Sequence, residues 1–353
     1  MRFGHFMMGT QGGSPDQLLE QAIWAESLGF NTVWFAERHG EHAGLLWPDP
    51  FIAASWVAAQ TEHIGLGFAA SILPMHHPMQ LAERVLLLDR LSKGRVTLGV
   101  TRGGIANGSL SNFGFDLDQR HQGFEESVDI LDLAFSGTAF SYAGQCFSLE
   151  NAKLELNSTD VATRPLVFVA NSDVSMAFAA RRGAPIFLNG IESFSHLVDR
   201  HARFSSLISE AEYFFHPGYV LNRFIFTGRT TKKARDIYRR ALSRFLTEYA
   251  PDLAKGLEMM YGQDARDTDF LMEEIFIVGD SEHCYQRLLA SRDLLPLHET
   301  MLSFNLASLE HHHCLDSMSR FAIEVMPELQ KYDSENLNLL ASQPTHTMTG
   351  GPL

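Results

Sequence analysis

Residues 31–42 read NTVWFAERHGEH, and this stretch sets the expectation for the whole fold. Its first part, residues 32–36, is a run of β-branched and aromatic residues that favours a strand buried on both faces, as in a parallel sheet. The run ends in three ionisable residues, Glu37, Arg38 and His39. Because ligands bind beyond the carboxyl ends of parallel strands, we expect His39 to lie at a strand mouth.

Glu37 and His39 are two residues apart at this strand end, so their side chains point the same way in extended geometry. A carboxylate beside an imidazole can orient the ring and favour proton exchange, which suits general acid or base chemistry. A structural charge cluster at the rim of the fold is an equally good interpretation of these two residues alone.

The composition limits the class of protein. A chain of 353 residues with 45% hydrophobic content suffices for one large α/β domain. Its formal net charge of −14 argues against nucleic acid or an anionic membrane as partner. There is neither a signal peptide nor a continuous apolar stretch of about 18 residues, and the three cysteines include no CxxC pair. We therefore expect a cytoplasmic protein without a disulfide framework.

Strand and helix patterns alternate along the chain, which predicts parallel strands joined by crossover helices. The predicted strands cover residues 2–8, 32–36, 64–73, 96–100, 166–170, 185–188, 219–227 and 300–304, with a further, weaker signal at 276–278. About eight strand–helix units suit a single (β/α)8 TIM barrel over residues 1–330. A doubly wound open sheet is the alternative, but residues 9–13 do not supply the GxGxxG fingerprint of a dinucleotide-binding sheet.

Two regions interrupt the alternation. Residues 137–164 alternate between apolar and polar positions and predict an inserted antiparallel hairpin. Residues 251–274 are polar and irregular, which indicates a second insertion or a mobile lid. The final segment, residues 331–353, is polar with proline and glycine, and we expect it to be a disordered tail.

Two further strand ends carry groups that suit an anion. Arg102 follows the strand at 96–100 and stands beside glycines, so a guanidinium and a flexible backbone could approach a phosphate together. Ser172 begins a helix after the strand at 166–170, and the unpaired amides of a helix N-terminus favour a phosphate. Each signal alone is also typical of an ordinary loop or a routine helix cap.

The histidine pairs and runs are weaker signals. Residues 311–314 read HHHC, but adjacent helical residues point about 100° apart and cannot all bind one ion. We therefore predict no metal site. His76 and His77 precede a helix at a strand exit; they could line a pocket, although a local structural role is the simpler interpretation.

These residues resemble the bacterial luciferase-like flavin monooxygenases, more closely the luciferase α subunit than the deazaflavin-dependent branch. The resemblance covers residues 1–330 and arrives as several ordered motifs: RFGHFMM (2–8), ESLGFNTVWFAERH (26–39), PMHHPMQLAERVLLLDRLSKGRVTLGVTRG (74–103), PLVFVANS (165–172) and VMPEL (325–329). It implies a (β/α)8 barrel, FMN chemistry, and dimerisation through early helices, for which the alanine-rich segment 50–61 and the next helix are candidates.

The resemblance also implies roles for individual residues. His39 matches the second histidine of the family's glutamate–histidine–histidine sequence, and Glu37 would orient it. Ala69 and Ala70 match a non-proline cis peptide beneath the flavin ring. The residues expected around the FMN phosphate and ring are Thr101, Arg102, Arg120, Asn171, Ser172 and Ser175. Arg38, Thr101 and Asn171 depart from the α subunit, which has histidine, a reactive cysteine and glutamate there, so light emission and a long-chain aldehyde substrate are not implied.

The resemblance implies a two-component monooxygenase. A separate NAD(P)H:flavin reductase would supply reduced FMN, which would react with O2 to form a flavin hydroperoxide that oxygenates a small organic substrate. A homodimer is expected, and the substrate cannot be read from the sequence. Two alternatives stay open: a deazaflavin-dependent oxidoreductase, and a non-catalytic flavin-binding or partner subunit.

Overall fold

The computed structural model describes residues 1–7, 14–39, 47–103, 113, 120–156, 166–213 and 215–333. Eight parallel strands form a closed barrel. They are β1 (Phe3–Phe6), β2 (Thr32–Phe35), β3 (Gly65–Ile72), β4 (Val96–Thr101), β7 (Val167–Val169), β8 (Ile186–Leu188), β9 (Tyr219–Thr227) and β11 (Leu297–Ser303). Three strands are not members of the barrel: β5 (Phe140–Ala143) and β6 (Ser148–Ala152) form a separate hairpin, and β10 (Ile277–Gly279) pairs with one barrel strand. The β8–β9 and β11–β1 pairings close the ring. The predicted (β/α)8 TIM barrel is confirmed, and the open sheet is excluded.

The weak strand signal at residues 276–278 has a structural explanation. Strand β10 (Ile277–Gly279) exists, but it pairs only with the last three residues of β9, from Ile225 to Thr227. Strand β11, which is a barrel neighbour of β9, pairs with the first part of β9, up to Phe224. Strand β10 is therefore an addition to the barrel wall and not one of its eight members.

Helices surround the barrel, and short polar side chains begin several of them. Their bounds are α1 (Pro15–Ser27), α2 (Pro50–Ala58), α3 (Pro78–Leu91), α4 (Arg120–Phe135), α5 (Asp173–Arg181), α6 (Phe194–Glu210), α7 (Thr231–Arg244), α8 (Pro251–Tyr261), α9 (Thr268–Glu274), α10 (Ser281–Leu294) and α11 (His311–Glu324). The side chains of Ser14, Asp49 and Asp280 accept hydrogen bonds from first-turn amides and so fix where three of these helices start. None of the helices within the described residues is long and apolar enough to span a membrane.

Residues 251–274 are not irregular as expected, while their role as an insertion or mobile lid stays a prediction. This region is helical, with α8 and α9 joined by a 3-10 turn from Gly262 to Arg266. Between them the two helices fully bury only Leu257, Leu271 and Met272, while Leu253, Ala254 and Met260 of α8 recur at helical spacing and are partly buried against the core. Helix α7 is extended toward α8 by a π-helical turn, Phe245–Tyr249.

The other predicted interruption contains the expected hairpin. Strands β5 (Phe140–Ala143) and β6 (Ser148–Ala152) pair in antiparallel fashion. At the opposite end of the chain, residues 326–333 are helical, and Asp333 pairs with Arg292 at 2.6 Å. The first three residues of the predicted tail therefore belong to the fold, while the rest of it, residues 334–353, lies outside the described residues.

The barrel interior is filled at its N-terminal end by the indole of Trp34. Glycine at positions 4 and 67 leaves room for this ring, because a Cβ at either position would overlap it. The indole nitrogen donates to the buried Glu299 carboxyl at 2.7 Å, and burial raises the pKa of Glu299. A cavity of about 700 Å³ opens at the strand starts around Glu299. This N-terminal end of a (β/α)8 barrel contributes to stability, whereas the active sites of such barrels lie at the opposite, carboxyl-terminal end.

Candidate active site

The predicted site residues gather at the carboxyl ends of four barrel strands that are neighbours in the sheet, β2, β3, β4 and β7. Glu37 and His39 follow β2, and the Ala69–Ala70 peptide lies within the last part of β3. Arg102 follows β4, and Ser172 follows β7. Residues far apart in sequence thus share one rim, because parallel strands present their carboxyl ends together.

The Glu37 carboxylate is the centre of a hydrogen-bonded cluster. Its side chain is fully buried, and His39 Nε2 donates to its Oε1 at 2.6 Å. His76 Nε2 lies 2.9 Å from Oε1 and 3.0 Å from Oε2. The backbone amide of Ile72, at the end of β3, donates to Oε2 at 2.9 Å. The carboxylate therefore receives donors from two imidazoles and one amide.

These donors decide the charge of Glu37. Burial alone would raise the pKa of this carboxyl, but hydrogen bonds from His39, His76 and Ile72, with the charge of His76, lower the pKa below its ordinary value. Glu37 is thus an anion at neutral pH. Through these bonds the buried anion fixes the orientation of both imidazole rings.

His76 is the member of this cluster that the sequence does not reveal. It follows a 3-10 turn, Leu73–Met75, at the end of β3, and its side chain is 14% exposed, like that of His39 at 15%. The only sequence signal was the pair of histidines at a strand exit. The structure separates that pair: His77 caps α3, with its Nδ1 accepting from the amide of Met79 at 3.3 Å.

Arg38, the residue before His39, connects the end of β2 to helix α8. Arg38 Nη2 bonds the Asp252 carboxylate on α8 at 2.9 Å, so this helix is tied to the end of β2. The ring of Phe113 meets the His39 ring edge-on, with centroids 5.2 Å apart. Residues 40–46, which include Glu41 and His42, lie outside the described part of the chain.

The peptide bond between Ala69 and Ala70 is cis, the conformation expected from the resemblance. The β3–β4 register shifts at the same place, between Phe68 and Ser71. Ala70 is buried and Ala69 is partly exposed. Contact of this peptide with a flavin ring stays a prediction.

Arg102, Arg120 and His121 form a cationic cluster between β4 and the start of α4. Arg102 Nη1 donates to His121 Nδ1 at 2.5 Å. Burial and the two arginines lower the pKa of His121, so the ring is neutral and can accept this bond. Burial and the charge of Arg120 also lower the pKa of Arg102, and Glu125 partly offsets this.

One member of this cluster, Arg102, lies near the start of α5. Arg102, Ser175 and Glu125 line one cleft, whose apolar wall is built from Phe124, Phe168 and Phe178. Ser172 and Ser175 form a capping box, in which each side chain accepts from the backbone amide of the other. An arginine and a helix N-terminus therefore meet in one place, as an anion requires.

Two predicted cofactor contacts have less distinctive surroundings. Thr101 ends β4, and its hydroxyl accepts from the Gly103 amide at 3.2 Å. Asn171 is exposed, immediately before the α5 cap. Asp173, the first acidic residue of α5, is paired with Arg203 at 3.0 Å, which offsets its negative charge near the helix start.

A possible metal cluster lies elsewhere. Among the described residues, only Glu310, His312 and His313 place three potential ligand atoms within 4.8 Å of one another. Glu310 and His312 are exposed at the start of α11.

Comparison with known proteins shows the family of this chain. The family model described as luciferase-like monooxygenase matches residues 1–298. The chain belongs to this family. The resemblance inferred from the motifs is therefore confirmed, and this luciferase-like monooxygenase is a flavin-dependent oxygenase.

Individual relatives of this luciferase-like monooxygenase include enzymes that use different cofactors. It is 26% identical over 362 residues to the alkanal monooxygenase alpha chain of the Kryptophanaron alfredi symbiont, covering 94% of this chain and 99% of that protein. The oxygenating constituent of 3,6-diketocamphane monooxygenase from Pseudomonas putida, a type II Baeyer–Villiger monooxygenase solved with FMN, has a TM-score of 0.76 at 20% identity, with 93% and 98% coverage. A coenzyme F420-dependent tetrahydromethanopterin reductase from Methanopyrus kandleri has a TM-score of 0.72 at 15% identity, with 93% and 99% coverage. The two structures share the fold.

Proposed function

We propose that the chain is the oxygenase component of a two-component system, which receives reduced FMN from a separate NAD(P)H:flavin reductase. The observation that carries this proposal is the cleft in which Arg102 faces Ser175 at the start of α5, with Arg120 beside it. Two guanidiniums and a helix N-terminus suit a terminal phosphate such as that of FMN. Bound reduced FMN supplies the electrons that activate O2, so that one oxygen atom enters the substrate and the other leaves as water.

The residues of this chain would then have distinct tasks. Arg102 and Arg120 bind the phosphate as cations, and the capping box of Ser172 and Ser175 fixes the α5 amides that face it. His39 would exchange a proton with the reacting substrate at Nδ1, on the far side of the ring from Glu37. Glu37 orients that ring through Nε2 and stabilises the imidazolium once the proton has arrived.

Coupled turnover tests the proposal. The purified chain, an FMN reductase, NADH and panels of aldehydes, ketones and polycyclic aromatic compounds would be incubated under 18O2, and the product examined by mass spectrometry. Incorporation of one labelled oxygen atom is expected for at least one substrate class. A His39→Ala protein that retained full coupled oxygenation would remove His39 from the proton-transfer role.

The alternative cofactor is the deazaflavin coenzyme F420, because a structural neighbour with a TM-score of 0.72 depends on it. Anaerobic titration with reduced FMN and with reduced F420 shows which of the two cofactors the chain binds. Tight binding of F420 alone would overturn the proposed cofactor. Flavin binding without substrate-dependent oxygen uptake would instead support a non-catalytic partner subunit.

We also propose a homodimer that uses α2 and α3. Three apolar side chains on these helices are strongly exposed: Ile52 at 71%, Leu91 at 67% and Leu87 at 47%. They line one groove together with Phe51 and Leu88. A large exposed apolar patch of this kind marks a protein interface more often than a free surface. The cytoplasmic location stays a prediction.

A further inference from the structure

We propose that Arg223 and Arg287 form a binding site for a small oxyanion such as inorganic phosphate, in a cavity between strand β9 and helix α10. The cavity has a volume of about 230 Å³ and shares no lining residue with the cleft of Arg102 and Ser175. It is therefore a second anion site, separate from the flavin phosphate site of the proposed function.

The cavity combines two cations with apolar walls. Arg223 comes from β9, and Arg287 and Ser291 come from α10. Ile275 and Ile277 supply apolar surface beside them. The volume is below the roughly 300–1,000 Å³ of pockets that hold drug-sized ligands, so the space suits a small anion and not a nucleotide. Arg287 is only partly buried, which leaves a way in from solvent.

Arg223 is a buried cation without an ion pair. Its side chain is 4% exposed, and Nη1 donates to the carbonyl oxygens of Asn189 at 3.3 Å and Asn222 at 3.4 Å. Its guanidinium makes no other hydrogen bond and no ion pair within the described residues. Buried charges are usually paired, because an unpaired charge away from water is costly. An anion in the cavity would supply the missing partner.

Arg287 places a second cation at the same cavity. Its Nη2 donates to the carbonyl oxygen of Glu274 at 3.1 Å, and it too forms no ion pair in the part of the chain that the structure describes. Burial lowers the pKa of Arg223 to about 10, the charge of Glu192 raises this pKa, and the charge of Arg287 lowers it. Arg223 is thus still protonated at pH 7, and two guanidinium groups repel each other across the site. An oxyanion that accepts from both would relieve this repulsion.

The acidic residues nearby do not take this place. Glu192 is bonded through Oε1 to Arg200, whose Nε lies at 2.7 Å, and its Oε2 is buried without a hydrogen-bond partner. Glu274 lines the cavity but is exposed, and the group that contacts Arg287 is its backbone carbonyl. Neither carboxylate forms an ion pair with an arginine of the cavity, so the partner has to come from solution.

Calorimetric titration of the full chain with inorganic phosphate tests the site. Because phosphate could also bind beside Arg102, the titration is done in the Arg102→Met protein, with chloride holding the ionic strength constant. Phosphate should bind there at one site, and adding Arg287→Met should raise its dissociation constant by about 10-fold or more. The matched control adds Arg235→Met instead, since Arg235 of α7 is nearby but already paired with Glu273. It should change the constant by less than about twofold.

A second variant and a second readout keep the result clear if one protein folds poorly. Arg223→Met should weaken phosphate binding as Arg287→Met does. Phosphate should also raise the urea midpoint of Arg102→Met, but not that of either double variant, because only a bound ligand stabilises the folded state. Phosphate binding that survives both Arg223→Met and Arg287→Met, or that Arg235→Met weakens equally, would overturn the site. Loss of all phosphate binding in Arg102→Met alone would also overturn it, while supporting the phosphate site of the proposed function.

Discussion

Replacing Arg102 by methionine should weaken the binding of FMN far more than that of riboflavin. Methionine keeps most of the length of the side chain but removes its charge and its donors. Arg102 lines the same cleft as Ser175, so the lost interaction should be with the phosphate, which riboflavin lacks. The isoalloxazine ring is common to both ligands, and any effect on its binding cancels in the comparison.

The magnitude can be estimated from the surroundings of the guanidinium. A hydrogen bond to a charged group contributes about 1.5–3 kcal/mol, and the partial exposure of Arg102 places its contribution in the lower half of that range. The dissociation constant for FMN should therefore rise by roughly 10- to 40-fold. Loss of the bond to His121 leaves that ring without its donor, but this affects both ligands equally.

Anaerobic titrations with reduced FMN and reduced riboflavin would measure the two dissociation constants for each protein. Arg181→Met is the matched control, because Arg181 is an exposed arginine at the other end of the same helix α5. It should leave both constants within about twofold of the wild type. Equal weakening of FMN and riboflavin by Arg102→Met would refute the phosphate role, since the arginine would then act on the ring or on the fold.

Three further variants test other parts of the structure. Glu37→Gln should lower the free energy of unfolding by about 3 kcal/mol at pH 7, because it removes a buried anion from three donors. The pKa of Glu37 is lowered in the folded state. The stability that ionised Glu37 contributes is therefore present above the ordinary pKa of 4.5 and is lost as the pH falls through the pKa of the folded state. In urea unfolding at several pH values, the difference in unfolding free energy between wild type and variant should narrow below pH 4.5. Gly4→Ala should cost about 1–3 kcal/mol in the same assay, because its Cβ would overlap the Glu299 carboxyl, and an unchanged midpoint would contradict the tight barrel interior. The double variant Ile52→Asp with Leu91→Asp should be monomeric by light scattering if α2 and α3 form the dimer interface, and an unchanged mass would place that interface elsewhere.

The barrel could be predicted because its strands and crossover helices alternate with clear periods. The bounds of β9, residues 219–227, agree with the sequence pattern, and the cap of α1 at Ser14 is where serine followed by proline indicates. Prediction was wrong where burial was sparse. Helix α8 fully buries Leu257 alone; its other apolar residues, Leu253, Ala254 and Met260, recur at helical spacing, but this short stripe was missed among the polar residues around it.

In the candidate site, the sequence predicted contacts within one strand but not contacts between strands. The sequence could place Glu37 beside His39, because residues two apart on a strand point the same way. It could not place His76 there, since 39 residues separate it from Glu37 and its ring direction depends on a 3-10 turn after β3. Neighbouring strands of a barrel bring such residues together, and only the side-chain geometry shows whether they meet. A carboxylate that appeared in the sequence to serve one imidazole is bonded to two, because His76 at the end of the neighbouring strand β3 shares the Glu37 side chain with His39.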